Sequence, residues 1–188
     1  KLQVGHPPGA PLYQMIGAFF AMFALDKTQI ALMINMMSVF SSAFTILFMY
    51  WSTSKIIRKI VKVTSEWNEQ TSKLTLGASL IAALSYTFTD SFWFNAVEAE
   101  VYSMASLFIA LLFWLGLKWE EELETERGHK WLISVSFVIG LSFGVHFMAL
   151  LALPSIGMLY FFKKQKNVTT KNFIIANVII LAILMFIF

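Results

Sequence analysis

Between Lys130 and Lys163 the chain runs for 32 residues, Trp131 to Phe162, without a formal charge. A second charge-free run, Thr28 to Ser54, is long enough to cross a bilayer, since about 20 helical residues span a hydrocarbon core of about 30 Å. In lipid every backbone N–H and C=O must be satisfied within the protein, so such runs are read as helices. The rest of the composition agrees. Charged residues make up 13% of the chain, hydrophobic residues 58%, and mean hydropathy is +0.71. A soluble domain carries about 25% charged residues. The expected fold is all-α: a polytopic transmembrane helical protein.

The runs predict an outer loop over 1–11, an interfacial helix over 12–25, and spans over about 29–54, 74–93, 100–117, 131–145, 147–162 and 172–188. Three prolines and two glycines keep the first eleven residues out of a helix. The run from Leu12 to Leu25 is too short to cross. Asn35, Ser38, Ser41 and Ser42 recur about one helical turn apart, a spacing suited to helix–helix contact in lipid. The chain opens at Lys1 without a methionine, shows no signal-peptide pattern and stops at Phe188 inside an apolar run. It reads as a fragment of a longer chain, with a single transmembrane domain over 1–188.

Orientation follows from the basic residues. Lys and Arg accumulate on the cytoplasmic side of short loops. With loops 55–73, 118–130 and 163–171 inside, 12 of the 14 basic residues lie inside and only Lys1 and Lys27 outside. The 32-residue run then has two basic ends and must cross twice, as two short helices broken at Gly144-Val-His146. A single tilted helix is the alternative. Gly140-x-x-x-Gly144 matches a close-packing motif, and Pro154 would kink the second limb. The opposite face collects residues 1–28, 90–100 and the turn near His146. It gathers His6, Asp26, Asp90, Glu98, Glu100 and His146.

On that face, residues 91–102 (Ser-Phe-Trp-Phe-Asn-Ala-Val-Glu-Ala-Glu-Val-Tyr) concentrate acids, rings and an amide without one Lys or Arg. Glu98 and Glu100 either cap the helix starting near Val101, where acids suit the positive dipole end, or face a cavity and hold hydroxyl or cationic groups. At i and i+2 they cannot share one helical face, and Glu100 is favoured as the inward one. Phe92, Trp93, Phe94 and Tyr102 suit an aromatic belt at the interface, and a ring under a sugar or lipid phosphate is the alternative. His6-Pro7-Pro8 presents an imidazole on a rigid turn. His146 is either a packing residue or a ligand.

No Gly-rich phosphate loop, His-Glu-x-x-His motif or cysteine occurs. No cofactor is expected, and no ligand spacing supports a divalent metal. The pI near 9.1 does not imply nucleic acid, because the basic residues sit between apolar runs. The basic run 55–62 reads as a topological anchor able to touch anionic lipid headgroups.

Gly5-His6-Pro7-Pro8-Gly9-Ala10-Pro11-Leu12-Tyr13 is similar to the His-Pro-Pro segment after the first span of protein O-mannosyltransferases and related GT-C glycosyltransferases. Phe92 to Tyr102 resembles the signature of a bacterial membrane family of long-unassigned function, grouped with a vertebrate protein O-mannosyltransferase. Gly140-Leu-Ser-Phe-Gly144-Val-His146 followed by Pro154 matches the same pattern, so the resemblance covers nearly the whole chain. It implies transfer of a sugar, with inversion, from a polyprenyl-phosphate-linked donor to an extracytoplasmic protein or glycan acceptor. It also implies a multi-pass location, in a bacterial inner membrane, among membrane lipids. The catalytic base would lie upstream of Lys1. The substrate-binding candidates are His6, Pro7, Pro8, Asn95, Glu98, Glu100, Tyr102 and His146. A transporter with an outward-facing carboxylate-lined cavity is the alternative, since intramembrane acids also suit ion coupling.

Overall fold

The apolar runs fold as helices. The structure, a computed structural model, describes residues 9–165 and 167–187, and among them there is no strand. The helices are α1 (Pro11–Ala21), α2 (Ile30–Thr64), α3 (Glu69–Thr87), α4 (Asp90–Val97), α5 (Val101–Glu122), α6 (Glu126–Ser142), α7 (Leu153–Lys164) and α8 (Thr170–Ile187). Short 3-10 helices occupy Lys27–Gln29 and Phe147–Ala152. Among the described residues, three stretches are long and apolar enough to cross a membrane: Lys27–Thr64, Val101–Glu122 and Phe147–Lys164. Thr170–Phe186 is a shorter apolar helix.

Several boundaries differ from those expected. The interfacial helix stops at Ala21 rather than Leu25, and Asp26 caps the following 3-10 turn by accepting from the Thr28 N–H at 2.7 Å. α2 does not end at Ser54 but continues unbroken through the lysines to Thr64. Its 35 residues, at about 1.5 Å each, reach about 52 Å, well beyond the hydrocarbon thickness. The helix expected over 74–93 is two. α3 ends at Thr87, and α4 restarts at Asp90 after Thr89 adopts an extended conformation. The 32-residue apolar run is interrupted at residues 143–146, and Pro154 stands in the first turn of α7 rather than inside a kinked helix.

α5 is the central helix. It packs on α2, α6, α7 and the Phe147–Ala152 turn. Leu112 and Ala105 are fully buried along it, and the core continues through Met37, Phe108, Val135, Ala149 and Ile156. Gly116 lets α7 approach closely, since a Cβ there would lie 2.9 Å from the Ile156 Cγ1. The supposed glycine packing pair does not operate. A Cβ on Gly140 would meet nothing within 4 Å, and Gly144 lies past the end of α6.

The hydroxyls of α2 form the buried seam against its neighbours. Ser38, Ser41, Ser42, Thr45 and Ser52 are all buried. Ser41 donates to the Met37 carbonyl and Thr45 to the Ser41 carbonyl, each at 2.8 Å. This local bonding satisfies Ser41 and Thr45, whereas Ser38, Ser42 and Ser52 have no hydrogen-bond partner among the described residues. The outward surfaces are apolar instead, with Ile81, Phe137, Val178 and Phe186 all exposed. In water such surfaces would drive association, whereas lipid tails solvate them.

At the lysine-rich end, ion pairs tie three helices together. Lys55 of α2 reaches Glu121 at 2.5 Å, Glu120 bridges Lys59 of α2 and Lys163 of α7, and Lys164 reaches Glu124 at 2.5 Å. Lys118 lies over the rings of Trp114 and Trp131, 5.9 and 5.7 Å from their centroids. The Lys164 ammonium holds the Glu124 carboxyl below its usual range, chiefly by hydrogen bonding. A depressed folded-state value contributes stability above the unfolded carboxyl's pKa, lost as pH falls through the folded value. Thermal melts of wild type and Glu124→Gln are therefore expected to differ slightly at pH 7 and to converge below the ordinary carboxylate range. The pair is exposed, so the gap is small even at pH 7.

Candidate functional site

Four elements meet at the opposite end, and the meeting point is a carbonyl. α1 has no side-chain cap, because its N-cap residue is Ala10. The first N–H groups of a helix need acceptors from outside it. Here the Gly144 carbonyl takes both, from Leu12 at 2.8 Å and Tyr13 at 3.2 Å. The approach is close. A Cβ on Gly144 would sit 2.7 Å from the Leu12 Cβ. Gly9 and Ala10 turn the chain into α1 with φ of 93° and 39°. The left-handed conformation is strained for alanine, and Gln14 braces the turn by donating to the Gly9 carbonyl at 2.7 Å.

His146 stands two residues beyond that carbonyl and caps the Phe147–Ala152 turn. Its Nδ1 accepts from the Met148 N–H at 3.1 Å. An accepting Nδ1 leaves the proton on Nε2, so the outer edge of the ring is a donor. The ring is half-buried and packs against Tyr102 with centroids 5.5 Å apart. Tyr102 belongs to the first turn of α5, which places the opening of that helix beside the histidine.

Glu100 is the N-cap residue of α5, yet its side chain makes no capping hydrogen bond. In the first turn the Ser103 hydroxyl donates to the Glu100 carbonyl at 3.1 Å. The exposed carboxylate makes no hydrogen bond or ion pair among the described residues. Glu98 and Glu100, expected to face apart on one helix, lie instead on a link that is not helical. The Glu100 N–H donates to the Glu98 carbonyl at 2.9 Å, an i to i+2 turn about Ala99. Both acids are exposed.

Beneath this surface lie two hydroxyls with no hydrogen-bond partner among the described residues, Tyr13 Oη of α1 and Ser38 Oγ of α2. Burial pushes the Tyr13 phenol above its ordinary value. Ser38 pulls it back and the Glu100 charge pushes it further up, so the three groups feel one another. Unsatisfied buried hydroxyls are rare in folded proteins and invite an explanation.

Of the sequence-derived candidates, Glu100, Tyr102 and His146 come to one end beside the α1 N-terminus. Asn95 is used inside α4, where its amide donates to the Ser91 carbonyl at 2.8 Å. His6, Pro7 and Pro8 lie outside the described residues. Asp26 is occupied as a cap, and Thr28 holds its carboxyl below the usual range. Asp90 sits in the first turn of α4, lining a surface depression with Phe88, Trp93 and Phe94. Among the described residues no group of three His, Asp or Glu side chains is arranged to hold a metal ion. Tyr13, Ser38 and Gly144 were not among the candidates. The sequence signal for Tyr13 was its place directly after the Pro11-Leu12 step. Ser38 carried none beyond a spacing that reads as packing.

A family model for the protein O-mannosyl-transferase TMEM260 N-terminal domain matches residues 1–169. Protein O-mannosyl-transferase tmem260 of Dictyostelium discoideum is 28% identical over 115 residues, covering 61% of this chain. The chain spans 12% of the length of that relative. No solved structure matches the chain.

Proposed function

We propose a function from one premise: the chain belongs to the family of protein O-mannosyl-transferase TMEM260 N-terminal domains. The full-length protein is a membrane glycosyltransferase of GT-C type. It takes a sugar from a polyprenyl-phosphate-linked donor and transfers it to a hydroxyl of an extracytoplasmic acceptor, with mannose on protein as the first candidate pair. In the step, the bond from the anomeric carbon to the lipid phosphate breaks as the acceptor oxygen bonds to that carbon from the opposite face. The acceptor proton passes to a general base, and the departing phosphate gains charge that donors must meet.

The observation that carries this reading is the unspent Glu100 carboxylate beside a histidine whose proton is fixed on its outer nitrogen. His146 Nε2–H suits the departing phosphate oxygen. Glu100 suits sugar hydroxyls, which a carboxylate accepts from at both oxygens. The Tyr13 and Ser38 hydroxyls, close enough to act on each other, suit the same polar ligand. His6 of the His-Pro-Pro segment is assigned a second donor role on the strength of the motif.

The test is transfer itself. Full-length protein in proteoliposomes, given a polyprenyl-phosphate-linked radiolabelled mannose and a hydroxyl-bearing peptide, is expected to label the peptide. Label-free peptide together with substrate-coupled ion flux would support the transporter instead. Glu100→Ala is expected to lower kcat/KM by about 10- to 150-fold. That is the equivalent of one charge-assisted hydrogen bond of about 1.5–3 kcal/mol. An unchanged kcat/KM would remove Glu100 from the site.

A further inference from the structure

The lysine-rich end holds a cavity of about 170 Å³ between α2 and the start of α3. Its wall carries Ser54, Lys55 and Arg58 from α2, Trp67 from the connection, and Ser72 and Thr75 from α3. The polar groups are unequally occupied. Lys55 is neutralised by Glu121 at 2.5 Å, and Thr75 donates to the Thr71 carbonyl at 2.8 Å. Arg58 has no carboxylate partner among the described residues. Its guanidinium lies over the Trp67 ring, 5.1 Å from the centroid. Ser54 Oγ is buried with no hydrogen-bond partner among the described residues.

The surroundings favour an anion. α3 starts here, with the Asn68 side chain and Thr71 forming a reciprocal capping box, so the positive end of its dipole is at the rim. The nearest acid of that first turn, Glu69, is engaged by Lys73 at 2.6 Å. A forked guanidinium over an indole, lining the same cavity as a buried hydroxyl with no partner among the described residues, is suited to phosphate oxygens. We propose that this cavity binds a phosphate group, with Arg58 supplying charge and Ser54 a hydrogen bond. The site is separate from the histidine end and does not depend on the transferase reading. An anionic lipid headgroup is the source the location favours, because basic pockets between helices beside a membrane face collect such lipids. Trp67 and the lysines of α2 give that end the composition of an interface.

The full-length protein would be placed in phosphatidylcholine nanodiscs with rising phosphatidylglycerol, and tryptophan emission followed against Trp67→Phe. A saturable change that Trp67→Phe abolishes is expected. Arg58→Ala should weaken it about tenfold, the scale of one charge-assisted contact. Lys62→Ala, an exposed neighbour outside the cavity wall, should stay within twofold of wild type. Arg58→Lys, which keeps charge but loses the fork, and Ser54→Ala should each weaken binding by less than Arg58→Ala, and they serve if the alanine variant misfolds. Inorganic phosphate added to pure phosphatidylcholine discs separates the sources. No response assigns the site to lipid, and a full response assigns it to free phosphate. Equal losses in the Arg58 and Lys62 variants, or no Trp67-dependent change with either ligand, would overturn the proposal.

Discussion

His146→Ala in the full-length protein is expected to lower kcat for sugar transfer by about 10²–10³-fold, the cost of removing one donor to a developing oxyanion. The variant also removes the cap on the Phe147–Ala152 turn, which alone would cost about 0.5–2 kcal/mol of stability. His146→Asp separates the two effects. Aspartate can still accept from the Met148 N–H, so its melting temperature should stay near wild type, but it cannot donate to phosphate. If transfer falls equally in both variants, the loss belongs to the Nε2 proton. If His146→Asp transfers at the wild-type rate, the histidine is only a cap and the proposed role is wrong.

Gly144→Val is expected to undock α1. The new Cβ would stand 2.7 Å from the Leu12 Cβ and 3.3 Å from the Leu141 carbonyl, neither of them a flexible chain end. Overpacking of this kind costs about 1–3 kcal/mol. Displacement also breaks two hydrogen bonds to the Gly144 carbonyl, worth about 1 kcal/mol each. An isolated helix of 11 residues is too short to persist without tertiary support. Hydrogen exchange by mass spectrometry should therefore show residues 11–21 losing protection while α5 keeps its own. Tyr13 would leave Ser38 in the same event, so transfer should fall with the protection. Wild-type protection over α1 would show that the contact is not what holds it.

The helical class was open to reading because lipid removes the alternatives. A run such as 28–54 has neither the charges nor the turns for any other fold. The break after Phe143 was also visible, in a glycine and a histidine amid charge-free residues. The division of 74–93 was not. Phe88 and Thr89 interrupt α3 and α4 in a stretch whose apolar pattern continues across them, and Thr89 turns aside by bonding its hydroxyl to the Tyr86 carbonyl at 2.8 Å. Nor was the length of α2, because a change from apolar to basic residues marks where lipid ends and not where a helix does. At the site, Glu100 could be picked out by its neighbours in sequence. Its relation to Tyr13 and Ser38 could not, since those contacts join segments that periodicity treats separately.

α2 runs without interruption between Ser38 and Arg58. About 30 Å of stiff rod connects the seat beneath Glu100 to the cavity at the far end. Pivoting such a rod by 2° about one terminus sweeps the other through about 1 Å, a displacement that can cost about 10²-fold when reacting groups must stay aligned. A shift of the Arg58 end of α2 would therefore carry Ser38 with it, because no break between them can absorb the movement.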